Sequence, residues 1–475
     1  MSARRHALQA IGRPVVLAVA ALALVGCAAV PDKPTRAPAL VAPAAFAHAG
    51  SVAAAAEPVA AFWQRFADPT LDAVMALALA GNLDLRIAAA RLAEARALQQ
   101  GSNALGKPTL SADAAAGRSR SGGSASNRFG LGIGAEWEID LFGVVTGEQR
   151  AAAATVRASQ ADLRAAQVAL AAEVAATYLQ LRGLQAQRAV AARSLETQMA
   201  ALRLVLARVE AGRGTALDSE RGRNLVATTA AQLPALDAAV QASRIKLAVL
   251  CGQAPGAASG AAVALSALDR DQALPGLPVT ALTAVGDPAS LLRRRPDVAA
   301  AEARLLAADA TGDAARGRFW PQLKLAGSLG LNAGRLGDLG RSQAFVFDLG
   351  AQLVWSFLDQ GAKAAAVSAA DARSEAAAAA FDKAVLVALQ DTETALSGYT
   401  RAQRSSELLF EAEAAADKAA RIARARFDVG ASDFGAVLEA ERELLAARDR
   451  LAQAQTTAAT GLVQVYRALA GGWGG

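Results

Sequence analysis

The chain has 475 residues, of which 53% are hydrophobic but only 4% aromatic, and its formal net charge is +6. That length is sufficient for two or three ordinary domains, but alanine carries much of the apolar fraction and favours closely packed helices over a bulky core. The charge is modest and no basic patch is interleaved with aromatic residues, which argues against a nucleic-acid partner.

The N-terminus has the pattern of a cleaved leader. Two arginines precede an apolar stretch, residues 15–25, that is too short to cross a bilayer as a helix. The stretch ends in Leu24-Val25-Gly26-Cys27, which resembles a bacterial lipobox. The resemblance implies that residues 1–26 are a signal peptide and that Cys27 is acylated, with palmitate among the attached chains. An ordinary secretion signal with a chance cysteine is the alternative.

Few side chains are candidates for chemistry. The two histidines, His6 and His48, lie in the leader and in a Pro/Ala-rich tether assigned to residues 27–60. A Ser-His-Asp or Cys-His arrangement therefore cannot be built within the body of the chain. Cys251 lies in an apolar helix end and is predicted to be a buried structural thiol. The sequence predicts no enzyme, no metal site and no cofactor beyond the covalent lipid.

Helical periodicity accounts for most of the remaining chain. The predicted helices are 68–80, 83–106, 148–211, 215–250, 297–319, 362–429 and a last one ending near residue 469. The return helix 215–250 is expected to kink at Pro234, and the Arg295-Pro296-Asp297 element is predicted to be structural, with Pro296 starting a helix.

Two of these helices are unusually long. The first contains one internal glycine, Gly183, and the second is interrupted only by Gly398. The last third of the first helix has apolar residues in alternating steps of four and three, which predicts a coiled-coil seam. The seam residues are Leu195, Met199, Leu202, Leu206 and Val209.

Four segments alternate with the period of a strand. They are residues 108–117, 129–141, 321–332 and 345–358, and the Ser/Gly-rich residues 118–128 are expected to form a loop. In the second segment Phe129 and every second residue after it are apolar, whereas the opposite side carries glycines and acidic residues. Each strand thus has one apolar face.

The same order of predicted helices and strands occurs twice along the chain. Pro108 and Pro321 are 213 residues apart, and Gly212 and Gly430 are 218 apart. Internal duplication explains these offsets. We assign residues 61–260 to the first repeat, 261–290 to a connector and 291–475 to the second repeat.

The apolar strand faces favour a membrane wall over a soluble sandwich. Lipid on one side and water on the other require this alternation, and the sheet must close because lipid cannot pair its backbone groups. Four strands cannot close alone. The chain is therefore expected to oligomerise.

Longer motifs are similar to those of the TolC-like outer-membrane efflux channels, in particular the lipoprotein or NodT-type branch. They are the segments 291–297, 301–305, 319–321, 250–256, 427–430 and 466–473. The resemblance implies an α+β membrane protein with internal duplication. Its homotrimer would combine a twelve-stranded β-barrel, four strands per chain, with a long α-helical coiled-coil barrel in the periplasm.

The resemblance also implies a function. The protein would be the outer-membrane exit duct of a tripartite efflux system, passively conducting drugs or small solutes. An inner-membrane pump would supply the energy, and a periplasmic adapter would dock on the turns at Gly212 and Gly430. A type I secretion duct and a coiled-coil envelope lipoprotein without a pore are the alternatives.

A gate at the periplasmic tip is implied as well. Its residues are Asp218, Arg221, Arg223 and Glu439. The chain departs from the family at Ala436, where an aspartate is expected, and at Phe427, where a tyrosine is expected. A single acidic ring at Glu439 is therefore predicted, which would favour cations. The two arginines are expected to pair with Asp218 or with Glu439 of a neighbouring helix.

Overall fold

A computed structural model describes residues 43–47, 60–255, 266–270, 274–275 and 285–470. The predictions for the leader, for Cys27 and for most of the tether concern residues outside these ranges. The chain divides into two compact units. The first contains Arg91–Gln160 and Ala300–Lys383, and the described parts of Leu40–Ala90, Ala161–Ala299 and Ala384–Gly475 belong to the second.

The described ranges contain nine α-helices and four strands. The helices are α1 (Pro69–Gly81), α2 (Leu83–Leu105), α3 (Val144–Glu210), α4 (Ala216–Ala230), α5 (Gln232–Leu250), α6 (Pro288–Arg294), α7 (Pro296–Gly317), α8 (Gln360–Asp428) and α9 (Phe434–Ala468). The strands are β1 (Thr109–Ser121), β2 (Ser124–Ile139), β3 (Gln322–Ala333) and β4 (Phe345–Val354).

One helix prediction is confirmed with a shifted position, and one helix was missed. The expected kink at Pro234 takes the form of an interruption at Ala231, between α4 and α5. Proline has no N–H to donate to the carbonyl four residues before it, that of Ala230, so the helix is interrupted just ahead of Pro234. Helix α6 was not predicted. It starts at Pro288, inside the segment assigned to the connector, and Asp287 caps it by accepting a hydrogen bond from the Ser290 amide (2.8 Å).

The strands form one antiparallel sheet in the order β1-β2-β3-β4. The expected loop at residues 118–128 is wrong, since β1 and β2 stay paired until Ser121 faces Ser124. The turn consists of Gly122 and Gly123, with φ angles of 60° and 90°. Positive φ at both central residues is what a two-residue hairpin turn requires, and glycine adopts it without strain.

Equivalent tryptophans mark the duplication in three dimensions. The indole Nε1 of Trp137 donates a hydrogen bond to the carbonyl of Gly106 (3.0 Å), and that of Trp355 donates to the carbonyl of Phe319 (3.0 Å). The donors are 218 residues apart and the acceptors 213, the same two offsets that the sequence shows. In each repeat an indole hydrogen bond thus connects the end of a strand to the end of a preceding helix.

The coiled-coil seam on α3 is displaced from its predicted position. The buried stripe comprises Ala191, Ser194, Gln198 and Val205, whereas Met199 of the predicted seam is 41% exposed. Within one chain α3 therefore buries the stripe of smaller and polar residues that adjoins the leucines. The sequence pattern identified the more hydrophobic stripe, because apolar periodicity does not indicate which neighbour a helix contacts.

Within the part of the chain that the structure describes, one segment, Pro69–Leu105, is long and apolar enough to cross a membrane by length and composition. Asn82 interrupts it, with its side-chain oxygen accepting from the Leu85 amide (3.0 Å) and its Nδ2 donating to the Leu250 carbonyl (2.9 Å). Leu71, Val74 and Met75 of α1 are fully buried in the helical core. Helix α1 is accordingly a core helix of the second unit.

Cys251 lies at the end of α5 and is 1% exposed. Its thiol contacts the Val74 carbonyl (3.7 Å), and burial raises its pKa to about 11. The thiol is protonated at neutral pH and packs as a small apolar group. The predicted structural role is therefore supported.

The internal glycines of the long helices have opposite surroundings, which gives a testable pair. A Cβ at Gly183 would lie 2.1 Å from the Thr456 hydroxyl oxygen, whereas a Cβ at Gly398 would meet no atom within 4 Å. We expect Gly183→Ala to lower the free energy of unfolding by about 1–3 kcal/mol through overpacking. We expect Gly398→Ala to be neutral or to stabilise by up to about 1 kcal/mol. Denaturant titrations of both variants check this, and equal effects would contradict the assigned helix contact.

Candidate functional site

The two faces of the sheet differ in chemistry. Cross-strand register places Ala112, Ile133, Leu329 and Phe347 in one row on the same face. These large side chains are exposed, with Ile133 at 59% and Phe347 at 73% of full exposure. An apolar face of this extent is not left in contact with water by a soluble domain. It is suited to lipid.

The height of the apolar face matches a bilayer. On β2 it runs from Ile139 to Phe129, eleven residues separated by ten steps, or about 34 Å along a strand. With the usual tilt of about 40° this corresponds to roughly 25 Å, the height of the apolar band in transmembrane barrels. Aromatic side chains lie at both ends: Phe142 stacks on Trp320 (5.4 Å between centroids) at one, and Phe129, with Phe345 one row nearer the centre, lies at the other. Such girdles mark the membrane interfaces.

The opposite face of the sheet is polar and is formed largely by small residues. Ser111, Gly134, Ser328 and Asp348 form one of its rows. Glycines alternate along β2, so the backbone itself forms much of this surface. Lys324 pairs with Glu136 (2.8 Å between Nζ and Oε1) across β3 and β2. A face of this kind can line a water-filled passage without obstructing it.

The helical hairpins turn at the two predicted glycines. Gly212 has φ 68° and Gly430 has φ 76°, a conformation in which a side chain would be strained. In the first hairpin Thr215 and Asp218 form a capping box: the Thr215 hydroxyl accepts from the Asp218 amide, and the Asp218 carboxylate accepts from the Thr215 amide. The predicted gate residue Asp218 therefore helps to start α4.

The second hairpin is capped differently. Asp433 is the N-cap of α9 and accepts a hydrogen bond from the Ala436 amide (2.9 Å). Positions 433 and 436 correspond to 215 and 218 by the repeat offset. In the first repeat the carboxylate, Asp218, is the third residue of the helix. In the second repeat the carboxylate, Asp433, is the N-cap residue itself. The start of α9 therefore has a capping carboxylate although position 436 is an alanine.

The remaining predicted gate residues do not form the expected pairs within one chain. Arg223 binds Glu220 of its own helix (2.9 Å). Arg221 extends towards α9, where its Nη1 lies 3.8 Å from the position that a Cβ of Gly435 would occupy. Glu439 is exposed, and among the described residues no ion pair joins it to either arginine. An interaction with Glu439 of another copy remains a prediction.

Phe427 forms the centre of a small core beneath the turns. It packs with Phe434 (5.5 Å between ring centroids), Val205 and Leu225. Arg208 of α3 lies over its ring at 4.0 Å and donates to its backbone carbonyl (3.3 Å). A phenylalanine fits this apolar core, which explains why the tyrosine hydroxyl of the family pattern can be lost. Sequence analysis missed Arg208, because a single arginine on a long helix has no distinguishing pattern.

Two further ion-paired clusters join α8 to α9. Arg424 binds Glu441, whose side chain is only 6% exposed. Arg448 binds both Glu413 (2.9 Å) and Asp417 (2.8 Å). The i, i+4 spacing of Glu413 and Asp417 was the available signal, since it places both carboxylates on one helix face.

Arg295 is a nearly buried charge with several partners in the second unit. Its side chain is 9% exposed and binds Asp297 (2.6 Å) and Asp391 (3.1 Å). It also donates to the carbonyls of Ala388 (3.4 Å) and Ala468 (3.2 Å). Although burial alone would raise the pKa of Asp297, the Arg295 hydrogen bonds and charge hold it below its ordinary value. The network joins α7, α8 and α9, in agreement with the structural role predicted for this element.

No cluster of three or more histidine, cysteine or acidic side chains suited to a metal ion occurs in the described ranges. The functional features are instead a two-faced β-sheet and helices of 67 and 69 residues that end in tight turns. Together these features define a subunit of an outer-membrane channel. The family model described as "Outer membrane efflux protein" matches residues 74–253 and 288–471. The chain belongs to this family, which confirms the predicted fold class, efflux function and outer-membrane location.

Individual relatives agree over nearly the whole length. The chain is 31% identical to the pyoverdine export outer membrane protein OpmQ of Pseudomonas aeruginosa, with 91% of this chain and 92% of that one covered. It is 28% identical to the solvent efflux pump outer membrane protein SrpC of Pseudomonas putida, with coverage of 96% and 97%.

Solved structures show the same fold. The outer-membrane channel OprN superimposes with a TM-score of 0.84 at 35% identity, covering 93% of this chain and 99% of OprN. The open state of the Neisseria gonorrhoeae MtrE outer membrane channel gives a TM-score of 0.81 at 27% identity, with coverage of 93% and 98%.

Proposed function

We propose that three copies of this chain form a passive exit duct for small solutes, with an inner-membrane pump and a periplasmic adapter as partners. In this proposal Cys27 carries the lipid anchor of the NodT-type branch. The adapter contacts the turns at Gly212 and Gly430. The duct itself performs no chemical step, so it requires neither a catalytic group nor a cofactor.

The main support for the proposal is that the four-stranded sheet has two unpaired edges. β1 and β4 are its edges, each paired on one side only within the chain. Edge strands cannot be left unpaired in lipid, because their amides and carbonyls would lose their water partners. Since four strands are too few to close, β1 of one copy must pair with β4 of another. Three copies give twelve strands, an even number with room for a water-filled lumen.

Efflux is favoured over type I secretion by the relatives, which are a pyoverdine export protein and a solvent efflux pump protein. A wide lumen bordered by glycine and small polar residues has little means of selecting among small solutes. The pump is therefore the better candidate for the source of specificity.

The decisive experiment is to measure the mass of the detergent-extracted protein and then its single-channel conductance in a planar bilayer. A trimeric mass with discrete conductance steps is expected. A monomer without conductance would show that the sheet does not close, and the envelope lipoprotein without a pore would then replace the duct.

The proposed gate gives a separate prediction for selectivity. Three Glu439 carboxylates around a narrow axis would favour cations, so Glu439→Gln is expected to reduce the cation preference severalfold. The reversal potential under a salt gradient measures this. Glu411→Gln is the matched control, because Glu411 is also exposed but lies about five helical turns before Gly430. An unchanged reversal potential for Glu439→Gln would remove Glu439 from the gate.

A further inference from the structure

The β1–β2 hairpin carries two arginines on the apolar side of the sheet. Side chains alternate along a strand, so Arg118 and Arg120 share the face of Ala112 and Ala114. The register confirms this placement, since Arg118 pairs with Asn127, which lies on the same face of β2 as Phe129. Both arginines are exposed. The two arginines therefore lie on the lipid-facing side of the sheet.

Their height corresponds to the lipid headgroups. The apolar band ends at Phe129, which pairs with Ala116. Arg118 and Arg120 follow Ala116 by two and four residues, which is about 7 and 14 Å along the strand and roughly 5 and 10 Å in height after tilt. The headgroup layer adds about 5–8 Å beyond the hydrocarbon on each side. Arg118 is therefore level with the phosphate groups, and the long side chain of Arg120, whose backbone lies slightly above that layer, can extend back to them.

The charge of this region is uniformly positive. Between Ala114 and Ala135 the chain contains three arginines and neither aspartate nor glutamate. The third, Arg128, pairs with Gly117 on the opposite face of the sheet. A guanidinium group binds phosphate through two parallel hydrogen bonds, which gives arginine an advantage over lysine at such a site.

The hairpin also lies on a defined side of the first unit. Its glycine turn is at the end of the sheet remote from α2, which precedes β1, and from α3, which follows β2. If the helices are periplasmic, as the proposed function requires, the turn reaches the outer leaflet. We propose that Arg118 and Arg120 form a binding site for the phosphate groups of the phosphorylated glycolipid of that leaflet.

The test uses the full-length trimer in detergent and diphosphoryl lipid A as the probe. Native mass spectrometry counts the bound lipid and gives its affinity. The double variant Arg118→Gln/Arg120→Gln is expected to bind at least about tenfold more weakly, because each lost charge-assisted pair is worth that much or more. The control Arg128→Gln, in the same hairpin but on the other face, is expected to bind as the unaltered protein does. The double variant should keep its trimeric mass and conductance, so failure of this site and failure of the duct are distinguishable.

A second measurement leaves the protein unaltered. Lipid A from which both phosphates have been removed is expected to bind at least about tenfold more weakly than the diphosphoryl form. Equal binding of the two lipids, or equal losses in the double variant and in Arg128→Gln, would overturn the proposal. Equal affinity for phosphatidylglycerol would also overturn it, by showing that any anionic lipid occupies the site.

Discussion

Arg295→Met is expected to lower the free energy of unfolding by about 2–4 kcal/mol, because a nearly buried guanidinium that bridges three helices is lost, although its carboxylate partners are 41% and 49% exposed and their ion pairs are partly screened by water. The variant keeps an apolar side chain in place of the arginine stem but leaves Asp297 and Asp391 without their guanidinium partner. It also deprives two buried carbonyls of a donor. Thermal and urea unfolding followed by circular dichroism measure the loss, and a cost below 1 kcal/mol would contradict the assigned network.

Arg293→Met is the matched control for this change. Arg293 lies two residues away in α6 and is exposed, so the same substitution is expected to cost less than about 0.5 kcal/mol. If the two variants lose similar amounts of unfolding free energy, the loss is not specific to the contacts of Arg295.

The same network predicts an acid-dependent component of stability. Because the pKa of Asp297 in the folded protein lies below its ordinary value of 3.8, its ion pair contributes fully above about pH 4 and is lost as the pH falls through the folded value. Unfolding free energies of the unaltered protein and of Asp297→Asn should therefore converge as the pH is lowered below 4. A constant difference between them at all pH values would exclude this assignment.

Phe347→Arg is expected to destabilise each protomer in a bilayer by about 2–4 kcal/mol, the cost of an arginine on the lipid-facing surface near the midplane. Phe347 lies in the central row of the apolar face, opposite Leu329. Urea-dependent refolding into lipid vesicles measures this effect.

The neighbouring position provides the control. Asp348 lies next to Phe347 on β4 but on the polar face, where it pairs with Ser328. Asp348→Arg is expected to leave the folded fraction within about 0.5 kcal/mol of the unaltered protein, because an arginine there remains in water. Equal costs at the two positions would mean that the apolar face does not contact lipid.

Much of the architecture was predictable because it depends on long, regular patterns. Helices α3 and α8 and the four strands follow directly from periodicity, and the repeat offsets link the two halves. The errors occurred where a pattern was short. The hairpin at Gly122 was hidden by serine and arginine, which do not alternate in hydropathy, and α6 has only seven residues.

The candidate site was less predictable for a physical reason. The residues of the helical hairpins act through contacts between helices that are distant in sequence, such as Arg208 with Phe427. A capping box can be recognised in the sequence from Thr215 and Asp218. That Asp433 caps the equivalent helix of the second repeat becomes evident only from its hydrogen bond in the structure. Which residues of another copy face Glu439 depends on assembly.

The duplicated indole hydrogen bonds have a practical consequence. Trp137 and Trp355, two of the five tryptophans, fasten a strand to a preceding helix in each repeat. The difference in fluorescence between the unaltered protein and each single tryptophan-to-phenylalanine variant should therefore isolate the signal from one half of the sheet. A pair of single-tryptophan deletions would then reveal whether both hairpins insert into the membrane together or one after the other.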